Sequence, residues 1–158
     1  MNTFLRPLAR LCALAGFFAL APAFAHEPTE HKSPASSFGQ PGVPAKVSRT
    51  VVVTMLDSMR FEPASLRVQR GETLRLRIRN AGKAEHEFVL GSAADIEAHA
   101  EMMRRMPGMR HTDASSVRVA PGASADIVWQ FSQAGRFVFA CLLPGHREAG
   151  MQGVVQVR

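Results

Sequence analysis

The chain has 158 residues, 46% hydrophobic and 20% charged, a balance typical of a globular protein and unlike a disordered or collagen-like chain. This length fits one domain with short extensions, and it is sufficient to bury a core without cross-links. Only two cysteines are present, which excludes a disulfide-rich scaffold and a zinc site made of four thiolates.

The first 25 residues have the pattern of a secretory signal peptide. Two arginines precede an apolar run at 11–20 that is too short to cross a bilayer, and Ala23-Phe24-Ala25 has the A-x-A form of a cleavage site. The alternative is an uncleaved anchor. Cleavage removes both arginines and no acidic residue, so the formal charge falls from +6 to +4, too little to indicate a nucleic-acid partner. We therefore predict a periplasmic protein whose mature chain does not insert into the membrane.

Residues 26–46 contain four prolines among serines and glycines, and they predict a flexible tail. From residue 47 onward, short apolar and β-branched runs predict strands. The alternation of Leu74, Leu76 and Ile78 with arginines indicates one buried face and one solvated face. Seven or eight such strands predict an all-β protein, an antiparallel sandwich or barrel spanning 47–158. The predicted strands are 47–56, 66–68, 74–78, 87–90, 116–119, 126–131, 135–141 and 153–157.

One segment interrupts the strand pattern. Ala, Glu, Met and Arg dominate residues 93–106, which predicts a helical insertion that ends before Pro107-Gly108.

The last predicted turn contains three residues that can ligate a metal. Cys141, His146 and Met151 follow the spacing C-x4-H-x4-M in a loop between two predicted strands. Strand alternation places Cys141 on the core side if Arg136 faces solvent. Export would leave Cys141 as the one cysteine of the mature chain, so it has no partner for an intrachain disulfide.

This donor set suits copper. Thiolate and thioether sulfur favour Cu(I), imidazole suits both oxidation states, and two His with one Cys and a weak axial Met form an electron-transfer copper site. His86 is the best candidate for the second His, because it lies where a turn enters a strand. The alternative is that Cys141 is a small buried hydrophobic residue. Zinc is the weaker choice of metal, since thioether is a poor zinc ligand.

A His after an Asn-containing turn, followed by Cys, His and Met in the final loop, resembles the cupredoxin family of small blue or green copper proteins. The resemblance covers 47–158 and implies a Greek-key sandwich that carries one type 1 copper. The run His86–Leu90 and the Met-rich insertion are similar to periplasmic cupredoxins linked to copper tolerance. By position, the implied ligands are His86, Cys141, His146 and Met151.

Two features depart from the family pattern. Glu87 stands where many cupredoxins have Asn directly after the first His. Arg147 and Glu148 follow His146, where family members often have apolar residues, so we expect a more charged docking surface. His146 is the expected electron exit, and His86 is expected to be more buried.

The resemblance implies a non-enzymatic protein that alternates between Cu(I) and Cu(II). We expect it to serve copper tolerance, and the alternative is a respiratory electron shuttle between periplasmic redox partners. A copper oxidase or reductase is disfavoured, because the chain lacks the additional domains and the many histidines of a catalytic copper cluster. We expect a monomer whose partners are periplasmic redox or copper-handling proteins.

The insertion is a candidate for a second Cu(I) site. Thioethers are soft donors that suit Cu(I), and residues three or four apart share a helix face. The alternatives are that these methionines pack the insertion onto the sandwich or form a docking surface. The candidate residues are His99, Met102, Met103, Met106, Met109 and His111.

Overall fold

The structure is a computed structural model that describes residues 36–106 and 113–158. Those residues form ten strands, one α-helix and one short 3-10 helix at Pro44–Lys46. The strands are β1 (Gln40–Pro41), β2 (Arg49–Leu56), β3 (Arg60–Glu62), β4 (Ser65–Val68), β5 (Thr73–Asn80), β6 (His86–Gly91), β7 (Ser116–Val119), β8 (Ser124–Gln130), β9 (Gly135–Ala140) and β10 (Gln152–Val157). The helix α1 spans Ala93–Arg105.

The strands form two five-stranded sheets that enclose one main hydrophobic core. The first sheet has the order β1-β8-β5-β2-β3, and the second has the order β4-β10-β9-β6-β7. Most neighbouring strands are antiparallel, but β2 pairs with β5 and β4 pairs with β10 in parallel. The predicted all-β sandwich is confirmed.

The alternation predicted for β5 is present in the structure. Leu74, Leu76 and Ile78 are fully buried, whereas Arg77 and Arg79 are exposed on the opposite face. On that solvent face, Arg75 and Arg77 pair with Asp126 of β8. The arginine stripe is therefore the solvated side of the sheet, as the period of two indicates.

All eight predicted strands are found, and β1 and β3 are additional. These two strands have two and three residues, too few for an alternating pattern to be visible in the sequence. The structure also differs from the predicted flexible tail over residues 36–46. Phe38 is buried and stacks on Trp129 with ring centroids 4.7 Å apart, because β1 pairs with the edge of β8. The remainder of the predicted tail, 26–35, and the predicted signal peptide lie outside the described residues.

The predicted helical insertion is confirmed as α1. Ser92 caps its N-terminus in a reciprocal capping box with Asp95, in which each side chain accepts from the other residue's backbone N–H. Three buried residues at helical spacing, Ile96, Ala100 and Met103, form its apolar face. The helix contacts β6 and β9, so it covers the outer face of the second sheet at those strands. This cover explains why β6 is buried along its whole length.

Among the described residues, α1 is too short and too polar to cross a membrane, and no other helix there meets that requirement.

The packed segment before β2 is expected to contribute to stability. Phe38→Ala removes a ring that is 2% exposed and should lower the free energy of unfolding by about 3 kcal/mol in denaturant titrations of the metal-free protein. Val43→Ala is the matched control, since Val43 is 53% exposed in the same segment and its truncation should cost less than about 0.5 kcal/mol. Equal effects of the two changes would show that Phe38 is not part of the core.

Candidate metal centre

The loop between β9 and β10 brings Cys141 and Met151 to the same end of the second sheet. The two strands pair up to Ala140 opposite Gln152, and the backbone N–H of Cys141 donates to the carbonyl of Met151 at 3.0 Å. The loop is therefore closed at its base directly beyond the last strand pair. Both side chains are fully buried, so the strand alternation that placed Cys141 toward the core is confirmed.

Backbone hydrogen bonds also fix the position of His146 within this loop. Its N–H donates to the carbonyl of Leu143 at 3.1 Å, and its carbonyl accepts from the N–H of Met151 at 3.0 Å. Gly145 and Gly150 have φ values of +82° and +100°, which a residue with a Cβ rarely adopts. The loop is thus a series of turns rather than a flexible connection.

His86 begins β6 immediately after the turn at 81–85. Asn80 is fully buried, and its amide donates to the carbonyls of Ala84 and Val119 while its oxygen accepts from the N–H of Gly82. These three bonds tie the turn to β7 and fix the point at which His86 enters the sheet. The predicted location at a turn-to-strand junction is confirmed.

Three donor atoms converge at this end of the sandwich. His86 Nδ1 lies 3.3 Å from His146 Nδ1, and Cys141 Sγ lies 3.3 Å from the same His146 nitrogen. The ligand atoms of these three residues all lie within 4.8 Å of one another. Met151 adds a buried thioether on the chain segment bonded to both Cys141 and His146. The residues proposed as ligands from the sequence are thus brought together.

The site is buried except at one side. His86 is fully buried, whereas His146 is partly exposed, which agrees with the expectation that His146 is the more accessible histidine. A cluster of three packed aromatic rings adjoins β6, with centroids 5.1 to 5.8 Å apart. Its members are Phe61, Phe88 and Phe139. Such apolar surroundings exclude water from a metal centre and influence its potential.

Burial favours the neutral forms of Cys141 and His146 in the absence of metal. Burial raises the pKa of the Cys141 thiol to about 11, although a hydrogen bond from the N–H of Glu87 to Sγ at 3.3 Å opposes this shift. Burial, followed by the neighbouring His86, lowers the pKa of His146. A cation that binds here replaces the thiol proton of Cys141 and meets an imidazole, that of His146, whose neutral form is favoured, as metal ligation requires.

Glu87, which departs from the common family pattern, is paired rather than solvated. Its side chain is buried, and its carboxylate accepts from Arg118 Nε at 3.2 Å across the β6–β7 pair. This ion pair lies next to the Cys141 sulfur through the backbone bond from Glu87. It therefore places a compensated charge pair, rather than an amide, beside the thiolate ligand.

Arg147 does not project as an isolated charge beside His146. Its Nη1 donates to a carboxylate oxygen of Glu97 in α1 at 2.9 Å, and Arg104 also pairs with Glu97 at 3.5 Å. The insertion helix is therefore tied to the loop that carries the histidine. A cavity of about 240 Å³ separates the two elements and is lined by residues that include Met103, Leu142 and Pro144.

The Met-rich insertion is described only in part. Met103 is buried on the packed face of α1, so it contributes to the contact with the sandwich. Met102 and His99 are half-buried, and Met106 is exposed at the C-cap. Met109 and His111 lie outside the described residues. The packing interpretation thus holds for Met103.

The donors fit copper. Two imidazoles and one thiolate with a nearby thioether are the ligands of an electron-transfer copper site, whereas structural zinc sites use four Cys or His ligands.

Comparison with known proteins agrees with this chemistry. The family described as "Copper binding proteins, plastocyanin/azurin family" matches residues 48–158. The chain belongs to this cupredoxin family. The copper-resistant cuproprotein CopI of Rubrivivax gelatinosus is 52% identical, over 99% of both chains, and CopI of Pseudomonas aeruginosa is 36% identical over 77% of this chain and 83% of its own.

A solved cupredoxin structure supports the fold. Auracyanin from Roseiflexus castenholzii superposes with a TM-score of 0.60 at 22% identity, covering 71% of this chain and 98% of its own. As in the cupredoxin family generally, the cofactor is copper, and the cluster of two His, one Cys and one Met supports a type 1 site.

Sequence reasoning missed three residues next to the site: Asp57, Arg60 and Arg118. Asp57 contacts His86, Arg60 Nη1 donates to the carbonyl of Ala149 in the ligand loop at 2.8 Å, and Arg118 pairs with Glu87. Each is 29 or more residues distant in sequence from its partner, so no local pattern marks it.

The buried thiol gives a pH-dependent prediction for the metal-free protein. Since only the thiolate is reactive and the pKa of Cys141 is raised to about 11, alkylation should be slow at neutral pH and should accelerate as the pH rises toward that value. Mass spectrometry after iodoacetamide treatment measures this in a Cys12→Ser background. Unfolding in denaturant should abolish the protection, and rapid modification of the native protein at neutral pH would contradict it.

Proposed function

We propose that the protein is an exported type 1 copper protein that serves copper tolerance by binding copper through His86, Cys141, His146 and Met151. The observation that carries this proposal is the convergence of two imidazole Nδ1 atoms and one thiol sulfur within 4.8 Å, in a chain of the cupredoxin family. The copper-resistant cuproproteins named above support the role in tolerance.

Each residue has a distinct role in this proposal. Cys141 gives up its thiol proton and binds as a thiolate, and the N–H of Glu87 stabilises the sulfur's negative charge. His86 and His146 would bind copper through Nδ1, since these two nitrogens face each other and that of His146 also faces the Cys141 sulfur, and the thioether of Met151 would be the weaker fourth donor. Copper supplies one-electron exchange between Cu(I) and Cu(II). The tight loop between β9 and β10 and the buried side chains around it would hold the ligands in one arrangement for both oxidation states.

The second candidate function is electron transfer between periplasmic redox proteins. The partial exposure of His146, in contrast to the fully buried His86, favours it, because an accessible ligand gives an electron a short path to a partner. The Arg147–Glu97 ion pair beside His146 makes the approach surface charged rather than purely apolar. A partner would therefore need complementary polar groups around the histidine.

The remaining features of the proposal follow from the sequence. Residues 1–25 act as a signal peptide that directs the chain to the periplasm, where it works as a monomer. Its partners are periplasmic redox or copper-handling proteins, not nucleic acid, and its role is binding and electron exchange rather than catalysis.

The insertion is proposed as a weaker Cu(I) site. Met102 and Met106 are one helical turn apart, and the N–H of Met106 donates to the carbonyl of Met102 at 3.0 Å. His99 precedes Met102 by three positions, and Met109 and His111 follow closely in sequence. Because Met103 is 6% exposed on the packed face, we assign it to packing and not to this site.

The four-ligand site is tested by spectroscopy. The oxidised copper-loaded protein should show an intense visible absorption from thiolate-to-copper charge transfer, and Cys141→Ser should abolish it. Met151→Leu is the matched control within the site, since loss of a weak axial donor should leave copper bound and the band present. A colourless Cu(II) protein, or a band that survives Cys141→Ser, would refute the assignment.

The second site is tested by Cu(I) titration of the reduced protein against a competing chelator. The wild type should bind two equivalents, and replacing Met102, Met106 and Met109 by Leu should abolish the weaker one while leaving the visible band unchanged. Met103→Leu is the control, because a Leu of similar volume preserves the packing and the proposed site does not use this thioether. Saturation of the wild type at one equivalent would refute the second site and favour the electron-transfer role.

A further inference from the structure

Asp57 lies against the turn that precedes His86, although the two residues are far apart in sequence. The reason is strand register: β2 and β5 are parallel, with Met55 opposite Asn80. The chain that leaves β2 therefore runs beside the turn that leaves β5. The N–H of Ala81 donates to the carbonyl of Met55 at 3.0 Å and holds the two segments together.

The carboxylate of Asp57 is held by two backbone amides and contacts the imidazole of His86. Its Oδ2 accepts from the N–H of Lys83 at 2.7 Å, and its Oδ1 accepts from the N–H of Ala84 at 3.2 Å. The same Oδ1 lies 3.1 Å from His86 Nε2. A carboxylate fixed by the backbone in this way presents an acceptor to His86 at a constant position.

The carboxylate of Asp57 occupies the space that a side chain at residue 82 would need. A Cβ added at Gly82 would lie 2.0 Å from Oδ1 of Asp57, so the absence of a side chain at residue 82 lets the carboxylate pack this closely against the turn. Because both oxygens of Asp57 accept from backbone N–H groups, Oδ2 from Lys83 and Oδ1 from Ala84, the carboxylate acts as an acceptor in this turn. The hydrogen between Oδ1 and Nε2 is therefore assigned to His86.

The two ring nitrogens of His86 thus face different partners. Nε2 faces Asp57, and Nδ1 faces the cluster, 3.3 Å from His146 Nδ1. Neutral imidazole carries a proton on one nitrogen only, so donation from Nε2 leaves the Nδ1 lone pair available for a metal. Carboxylates that accept from a metal-ligating histidine orient the ring and increase its basicity.

We propose that Asp57 is a positioning residue for the copper ligand His86, fixing its Nε2–H tautomer and strengthening Nδ1 as a donor so that Cu(II) is favoured over Cu(I). This inference rests on the proposed ligand role of His86. The competing interpretation is that Asp57 only fastens the turn through Lys83 and Ala84. Because the Asp57 side chain is 42% exposed, solvent weakens its charge, and the hydrogen bond carries the larger part of the effect.

The first experiment requires no substitution. Nitrogen-15 NMR of the histidine rings distinguishes protonated from unprotonated nitrogens in the metal-free and Cu(I)-loaded full chain. The expected result is a protonated Nε2 on His86 in both forms. Protonation of Nδ1 instead, in the metal-free form, would overturn the proposal whether or not any variant folds.

The second experiment measures the reduction potential and both copper affinities of Asp57→Asn and Asp57→Ala. Loss of a carboxylate partner typically weakens metal binding by about 10- to 100-fold, and the loss should be greater for Cu(II) than for Cu(I). A tenfold difference between the two states corresponds to a rise in potential of about 59 mV. Asp126→Asn is the matched control, since it removes one carboxylate that pairs with Arg75 and Arg77 on the solvent face.

The outcomes separate this proposal from the proposed function. If Cys141→Ser removes the visible band but both Asp57 variants keep the wild-type potential and affinities, Asp57 only fastens the turn and the copper site stands. If the wild type shows no such band, the copper assignment fails. Even in that case, the tautomer of His86 in the metal-free protein tests whether Asp57 fixes the proton on Nε2. A potential shift shared by Asp126→Asn would indicate a general charge effect and would also overturn the positioning role.

Discussion

The hydrogen bond from the N–H of Cys141 to the carbonyl of Met151 is the constraint on which the copper site depends. It continues the β9–β10 pairing by one step beyond the last strand residues, so the buried thiol and thioether stay beside each other. His146 is fastened to the same segment through its bond with Met151. Three of the four proposed ligands are thus organised by one short loop, and only His86 is supplied by a distant strand.

Much of this arrangement could be predicted from the sequence, because it is encoded locally. The alternation along β5 and β9, the composition of α1 with Pro107-Gly108 after it, and the spacing of Cys141, His146 and Met151 are all visible within a few residues of each other. The short strands β1 and β3 could not be predicted, because their formation depends on the edge of a sheet that already exists. Phe38 was assigned to a flexible tail for the same reason: its burial is created by Trp129, which lies 91 positions later in the chain.

The residues that support the site could not be predicted from the sequence, because their positions depend on tertiary contacts. Asp57 reaches the turn before His86 through the register of two parallel strands, and neither sequence segment contains a signal of that register. In the sequence, Glu87 was recognised only as an unusual residue. Its ion pair with Arg118 on the neighbouring strand became known from the structure. The metal ligands can be recognised in a sequence from the chemistry of their donor atoms. The groups that orient those ligands are placed by tertiary contacts, so a single sequence reveals them far less well.

The hydrogen bond from Arg60 to the carbonyl of Ala149 links the ligand loop to the packing of the two sheets. Arg60 belongs to β3 in the first sheet, whereas the ligand loop connects two strands of the second sheet. His86 and Cys141, in turn, are separated by 54 intervening positions and meet only after non-local pairing. The complete four-ligand site therefore exists only in the folded chain, and an ion that prefers that site shifts the folding equilibrium toward the native state by mass action. Copper affinity and the stability of the contacts between the two sheets are thus linked.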